Sequence, residues 1–145
     1  MKRKKNNYVI VAGCSRFGVN IATMLSLKGK DVVIIDINEN SFRKIPPSYS
    51  GYKIQGDATD IEVLKDSGIE KASMIVVATD DDNVNIMIAQ IADEIFKVES
   101  IVSRLYDTEK EIVYNDLNIK IIRPVKLTIE EFENITCEDD ILSES

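Results

Sequence analysis

The sequence predicts a doubly wound α/β fold, Rossmann-like, in which helices cover both faces of a six-stranded parallel sheet. Two observations carry this prediction. The segment from Tyr8 to Asp36 has the pattern of a strand, a glycine turn, a helix, a second strand and an acidic residue. Beyond it, short apolar runs alternate with helical patterns without a break as far as Pro124.

The opening segment is defined by apolar periodicity. Tyr8–Ala12 is a short apolar run that suits a buried parallel strand. Val19–Lys28 has apolar residues at helical spacing and is closed by Gly29. A second apolar run, Val32–Ile35, ends at Asp36. This order of elements is that of the nucleotide-binding half of a doubly wound sheet.

The turn between the first strand and the first helix predicts phosphate binding. Gly13 allows a sharp turn off the strand, and Gly18 allows the helix to pack close to the sheet. The free N–H groups at the helix start attract phosphates, and Asp36 lies where a carboxylate accepts hydrogen bonds from ribose. Ser15 replaces the second glycine of the usual pattern, so its side chain either binds the phosphate or crowds it. The alternative, a glycine turn used only for packing, stays open.

The remaining elements follow in order, and several loops between them punctuate the pattern. In chain order we predict a helix at Asn38–Ile45 stopped by two prolines, a strand at Tyr52–Gln55, a helix at Ile61–Ser67 capped by Thr59 or Asp60, a strand at Met74–Ala78, a helix at Val84–Phe96, a strand at Ser100–Ser103, a helix at Thr108–Leu117 and a strand at Lys120–Ile122.

Ligands of such sheets bind at the carboxyl ends of the strands. Residues 13–18, 36–38, 56–59 and 78–80 should therefore converge on one rim, and we expect Arg104, just after the fifth strand, to face it as well. The acidic run Asp80–Asp82 resembles a divalent-metal cluster, but acids at a helix start, favoured by the helix dipole, explain it more simply.

Composition narrows the function. The 145 residues carry a net charge of −7, which argues against a general nucleic-acid binder. The absence of histidine removes Ser-His-Asp and Cys-His mechanisms, and the two cysteines have no metal or redox spacing. No apolar run approaches the roughly 20 residues that span a bilayer, and no secretory signal is recognised.

We predict four segments along the chain. These are a basic tail at residues 1–6, the nucleotide-binding domain at 7–123, an amphipathic helix at 124–136 and an acidic, flexible tail at 137–145. The helix places Leu127, Ile129, Phe132 and Ile135 near one face. It therefore either packs on its own domain or crosses to a partner subunit.

Three motifs together resemble a known family. The glycine turn from Gly13 to Gly18, the Gly-Asp-Ala-Thr turn at residues 56–59 and the segment from Ala78 to Asn85, with Asp36 between the first two, resemble the N-terminal RCK or KTN domain (TrkA-N) of Trk/Ktr potassium-uptake regulators. The resemblance runs from about Asn7 to Ile135. The Gly-Asp-Ala-Thr turn is its most specific part.

The resemblance implies a set of cofactor-binding residues. Arg16 would approach the phosphates, Asp36 would hold the ribose with Ile37 beside it, and the segment from Pro124 to Ile135 would be a crossover helix between paired subunits. The phosphate loop would consist of Gly13, Cys14, Ser15, Arg16, Phe17 and Gly18. The adenine would be bordered by Asp57 and Ala58, and the opposite wall of the cleft would be formed by Thr79 and Asp80. Arg104 would lie near the cleft or the dimer surface.

The function implied is that of a cytoplasmic regulatory subunit without enzymatic activity. It would bind NAD(H) or ATP/ADP, form a homodimer or higher homo-oligomer, and gate a membrane potassium-translocating subunit, without itself entering the membrane or binding nucleic acid. Asp36 would repel a ribose 2′-phosphate, which disfavours NADP. Two alternatives stay open: a fragment of an NAD-dependent oxidoreductase, and another nucleotide- or redox-sensing module. Many family members continue into a second ligand-binding domain, whose site is not predicted here.

Overall fold

A single parallel sheet organises the chain in the computed structural model, which describes residues 7–138. Its strands are β1 (Tyr8–Ala12), β2 (Asp31–Asp36), β3 (Tyr52–Gln55), β4 (Met74–Val77), β5 (Ser100–Arg104) and β6 (Lys120–Ile122). They are ordered β3-β2-β1-β4-β5-β6, and every neighbouring pair is parallel. The predicted fold class is confirmed, and the strand order reverses between β1 and β4, where ligands of such sheets bind.

The connections are a mixture of helix types. The α-helices are α1 (Arg16–Leu27), α2 (Ile61–Asp66), α3 (Asp82–Gln90) and α4 (Pro124–Glu138). The predicted helices at Asn38–Ile45 and Thr108–Leu117 are instead 3₁₀ turns, Glu39–Lys44 and Thr108–Tyr114. Both begin at an Asx cap, and the first is cut short by two prolines, so neither extends to a regular α-helix.

Helix α3 differs from the predicted helix at Val84–Phe96 at both ends. It starts two residues earlier than predicted, because the Asp81 side chain accepts hydrogen bonds from the N–H groups of Asn83 and Val84. It then passes into a π turn at Ile91–Ile95 rather than continuing as α-helix to Phe96. Along this segment Ile88, Ala89 and Ala92 are buried.

Two apolar layers lie on opposite faces of the sheet. Alternate residues of β1 point to opposite sides, so Val9 and Val11 belong to one layer and Ile10 and Ala12 to the other. The first layer is covered by α1 and the turn at Glu39–Lys44, the second by α2 and α3. The central strands are buried on both faces, which explains why their sequences are continuous apolar runs.

The turn between β1 and α1 is as tight as its glycines predict. Gly13 has a φ of +118°, and a Cβ there would lie 2.5 Å from the backbone nitrogen of Thr79. A Cβ on Gly18 would lie 2.0 Å from the carbonyl oxygen of Gly13. Both positions therefore require glycine, and together they bring the start of α1 against the end of β4.

Helix α4 leaves its apolar face uncovered. Half or more of the surface of each large apolar side chain along it is exposed, for Val125, Leu127, Ile129, Phe132 and Ile135. The helix extends through Glu138, two residues beyond its predicted end. The basic tail at 1–6 and most of the predicted acidic tail, residues 139–145, lie outside the described residues. From Asn7 to Glu138, no helix has the length and apolar character needed to cross a bilayer.

The contact at Gly18 gives a stability prediction. We expect Gly18→Ala to lower the free energy of unfolding by about 2–4 kcal/mol, because the added methyl group meets rigid backbone at Gly13. Gly29→Asn is the matched control, because Gly29 (φ +84°) faces open space and asparagine tolerates this conformation. Urea unfolding of both variants measures the difference. Equal stability of the two would show that the turn does not depend on this close approach.

Candidate functional site

A cavity of about 440 Å³ opens at the carboxyl ends of β1, β2 and β4. Nine of the predicted site residues line it: Gly13, Cys14, Ser15, Asp36, Ile37, Asp57, Ala58, Thr79 and Asp80. Four others do not: Arg16, Phe17, Gly18 and Arg104. The topology thus brings together residues from four separate loops at the carboxyl ends of the strands, where ligands of doubly wound sheets bind.

Asp36 fixes one corner of the cleft. One of its carboxylate oxygens accepts a hydrogen bond from the Cys14 N–H at 2.8 Å, and the other accepts from the Asn38 N–H at 2.8 Å. The carboxylate thereby joins the end of β2 to the glycine turn after β1. Each oxygen has a second lone pair, so the carboxylate can still accept hydrogen bonds from ribose hydroxyls.

Ser15 uses its hydroxyl for hydrogen bonds within the protein. Its buried hydroxyl donates to the carbonyl oxygen of Ala78 at 2.6 Å and accepts from the Gly18 N–H at 3.1 Å. The side chain is therefore the N-cap of α1 and a tie to β4. In this arrangement its hydroxyl offers no free donor to a phosphate.

The first turn of α1 retains two backbone donors. Because Ser15 caps Gly18 and the Val19 N–H bonds to the Ser15 carbonyl, the donors left over are the N–H groups of Arg16 and Phe17. Within residues 7–138 neither has a protein acceptor. Unpaired N–H groups at a helix start, aligned with the helix dipole, are suited to an anion.

The Arg16 and Phe17 side chains point elsewhere. Arg16 is the exposed first residue of α1 and lies outside the cavity lining. The Phe17 ring lies over the guanidinium of Arg104, 5.3 Å from its central carbon. The predicted contact of Arg16 with phosphate stays a prediction.

Arg104 supports the cleft from behind rather than lining it. Only 4% of its surface is exposed, and its ring neighbours are Phe17 and Tyr106. One terminal nitrogen donates to the carbonyl oxygens of Ala78 and Thr79 and forms an ion pair with Asp80 at 2.9 Å. Within the described chain its Nε has no hydrogen-bond partner. Arg104 thus holds the loop after β4 in place.

The Gly-Asp-Ala-Thr turn at residues 56–59 forms another wall of the cavity. Asp57 accepts hydrogen bonds from both the N–H and the hydroxyl of Thr59, at 2.9 and 2.6 Å. The Gly56 N–H donates to the carbonyl oxygen of Asp36 at 2.9 Å, and Ala58 is buried. These contacts fix a turn whose small residue, Ala58, lines the cavity.

Sequence reasoning missed several lining residues. Lys44 donates from Nζ to the Cys14 carbonyl oxygen at 3.2 Å, and Ser41, Val84 and Ile88 contribute to the walls. The signal for Lys44 was weak: it is one of several cations near the third strand, and only the path of the turn at Glu39–Lys44 brings it to the cavity.

Cys14 behaves as a spacer. Its thiol is buried and donates to the carbonyl oxygen of Ser41 at 3.1 Å. Burial, followed by the nearby Asp36 carboxylate, raises the pKa of the thiol to about 11, although Lys44 and Lys53 partly oppose this. At neutral pH the thiol is therefore protonated and a poor nucleophile.

The acidic run at Asp80–Asp82 divides into three separate roles. Asp80 pairs with Arg104, Asp81 caps α3, and Asp82 accepts hydrogen bonds from the N–H groups of Tyr106 and Asp107, both at 2.9 Å. Over residues 7–138, no cluster of His, Cys, Asp or Glu has the arrangement of a metal site.

The sequence is similar to those of known proteins. Residues 9–124 match the family model of the TrkA-N domain. The Trk system potassium uptake protein TrkA of Streptomyces coelicolor is 33% identical over 124 residues, which is 86% of this chain and 56% of that protein. The chain thus spans about half the length of the curated relatives it matches.

Solved structures show the same fold. GsuK bound to ADP matches with a TM-score of 0.74 and 25% identity, over 88% of this chain and 33% of that one. The GsuK channel bound to NAD matches with a TM-score of 0.77 and 24% identity, over 99% of this chain and 26% of that one.

The environment of Cys14 predicts its reactivity. In a Cys137→Ser background, which leaves Cys14 as the only thiol, we expect iodoacetamide labelling to be slow at pH 8. The rate should rise about tenfold per pH unit up to pH 10 with no plateau, because the pKa lies above that range. Labelling in urea controls for access. A plateau near pH 9 would contradict the assigned environment.

Proposed function

We propose that this chain, which belongs to the TrkA-N domain family, is a cytoplasmic regulatory module of a potassium-uptake system that responds to an adenine nucleotide. The observation that carries the proposal is the place of Asp36 in the cavity lining, where it is hydrogen-bonded to Cys14 of the glycine turn that leads into the open first turn of α1. An acid for ribose and free N–H groups for phosphate are the two parts that nucleotide recognition needs.

The walls suit an adenosine ligand. Ala58 and Val84 offer apolar surface for a base on the side of the sheet away from α1. Ile37 is 67% exposed at the mouth, next to the ribose position at Asp36, where a bound nucleoside would cover it. GsuK, whose solved structures include complexes with ADP and with NAD, supports NAD(H) and ADP or ATP as the candidate ligands.

Asp36 disfavours NADP. Both of its oxygens already accept backbone hydrogen bonds, so the carboxylate is held in place and cannot turn away from a ribose 2′-phosphate. Two anionic groups at that distance repel each other. The proposal therefore ranks NADPH below NADH.

The proposed mechanism is a shift between two arrangements, without bond making or breaking. The ligand would favour the arrangement in which the loops at Asp36, Asp57 and Thr79 close around it, and this preference would be transmitted to the membrane subunit. The potassium-uptake role rests on the relatives named TrkA. Arg104, fixed between Asp80 and Tyr106, would keep the β4 loop in register while the cleft opens and closes.

Helix α4 supplies the surface for assembly. Its apolar stripe is exposed over residues 125–135, and acidic side chains such as Glu130 and Glu131 flank it. An exposed stripe of this kind is typical of a helix that packs on a partner. We propose that it crosses to a second copy of the chain, so that the domain at 7–123 works at least as a dimer.

Nucleotide binding is tested by calorimetric titration with NADH, NAD, ADP, ATP and NADPH. We expect Asp36→Ala to weaken every adenosine ligand by about 10- to 100-fold, since it removes charge-assisted hydrogen bonds to ribose. Arg16→Ala should weaken the ligands with most phosphate charge the most. Asp31→Asn and Arg43→Ala are the controls, because both residues are exposed and lie outside the cavity lining.

Two outcomes would contradict this assignment. The first is no binding of any of the five ligands to the natural chain. The second is equal affinity of the natural chain and Arg16→Ala for ATP and NADH, which would remove Arg16 from the phosphate site. Turnover of NADH with a simple carbonyl substrate would instead favour an oxidoreductase.

Assembly through α4 gives a separate test. We expect Phe132→Asp to shift the protein towards monomer in light scattering, because a carboxylate cannot be buried in an apolar contact without a partner. Its thermal unfolding as a monomer should be little changed, since the side chain is exposed. Asn134→Asp, on the same helix, is the control. An unchanged mass for Phe132→Asp would exclude α4 as the subunit contact.

A further inference from the structure

Lys44 lies beside the predicted ribose position. It is the last residue of the turn at Glu39–Lys44, and its ammonium donates to the carbonyl oxygen of Cys14 at 3.2 Å. The N–H of the same Cys14 donates to Asp36 at 2.8 Å. Cys14, in the glycine turn after β1, is thus held by Asp36 through its N–H and by Lys44 through its carbonyl oxygen.

The cavity carries mostly negative charge in its lining, with Lys44 as a positive charge among the carboxylates. Its lining includes four carboxylates, Asp36, Asp57, Asp80 and Asp81, and Lys44 is the one cationic side chain among the described residues that line it. Asp80 is compensated from behind by Arg104. An anionic phosphate that enters the cavity would otherwise be opposed by the remaining carboxylates.

The chemistry of the ammonium suits a phosphate. Lysine has three donors, of which one is used at Cys14, so two are free for phosphate oxygens. Its attachment to the backbone of the turn limits how far it can move. A ribose at Asp36 would place its 5′-phosphate on this same turn, before the first turn of α1.

We infer that Lys44 binds the 5′-phosphate of an adenosine nucleotide and thereby makes the cleft selective for adenosine 5′-phosphates over adenosine. This inference rests on the proposed function and adds a specificity-determining residue to the same site. It divides the work between two cations: Lys44 holds the phosphate next to the ribose, and Arg16 reaches phosphates further out.

The test compares AMP with adenosine by NMR titration into the millimolar range. Lys44→Met keeps the aliphatic stem and removes the charge, so we expect AMP affinity to fall at least about tenfold while adenosine affinity changes less than twofold. Lys44→Arg should restore much of the AMP affinity. Lys53→Met is the matched control, because Lys53 is exposed nearby but does not line the cavity.

Three results would overturn the inference. AMP affinity of Lys44→Met equal to that of the natural chain would remove Lys44 from the phosphate site. Equal losses for AMP and adenosine would show that Lys44 acts only through the shape of the turn. Failure of the natural chain to bind AMP, ADP or NADH would refute the proposed function itself, and this inference with it.

Discussion

The carbonyl group of Ala78, at the end of β4, is the point on which the site depends. The Ser15 hydroxyl donates to it from the start of α1, and Arg104 donates to it from the end of β5. Gly13 and Gly18 make this convergence possible, because a side chain at either position would collide with backbone. Three strands and a helix start are therefore fixed against one another within a few ångströms, and the cleft is the space they leave.

This constraint also decides which groups remain for a ligand. Ser15 uses the Gly18 N–H as a cap, so the anion-binding capacity of α1 is concentrated in the N–H groups of Arg16 and Phe17. Arg104 is occupied by two carbonyl oxygens and Asp80, so it shapes the wall without being part of the cavity lining. Asp36 and Lys44 hold Cys14 from opposite sides and carry opposite charges into the cavity.

The sequence predicted the features that depend on local patterns. Apolar runs located the strands, glycine spacing located the turn, and Asp36 was recognised by its place after β2. Features that depend on tertiary paths were missed or left open. Arg104 is buried with its guanidinium donating to two backbone carbonyl oxygens. Backbone partners cannot be predicted from residue types. Lys44 reaches the cavity from the 3₁₀ segment at Glu39–Lys44, in which Phe42 packs against the core. The role of Ser15 required the position of β4, 63 residues away in sequence.

The most direct test of the account is to follow the backbone amide resonances of the ¹⁵N-labelled chain during titration with ADP. We expect the amides of Arg16 and Phe17 to shift most, because they acquire a phosphate acceptor. The Gly18 amide, already bonded to Ser15, should shift far less. Saturable binding of ADP that leaves Arg16 and Phe17 unchanged would contradict the claim that the first turn of α1 is the phosphate site.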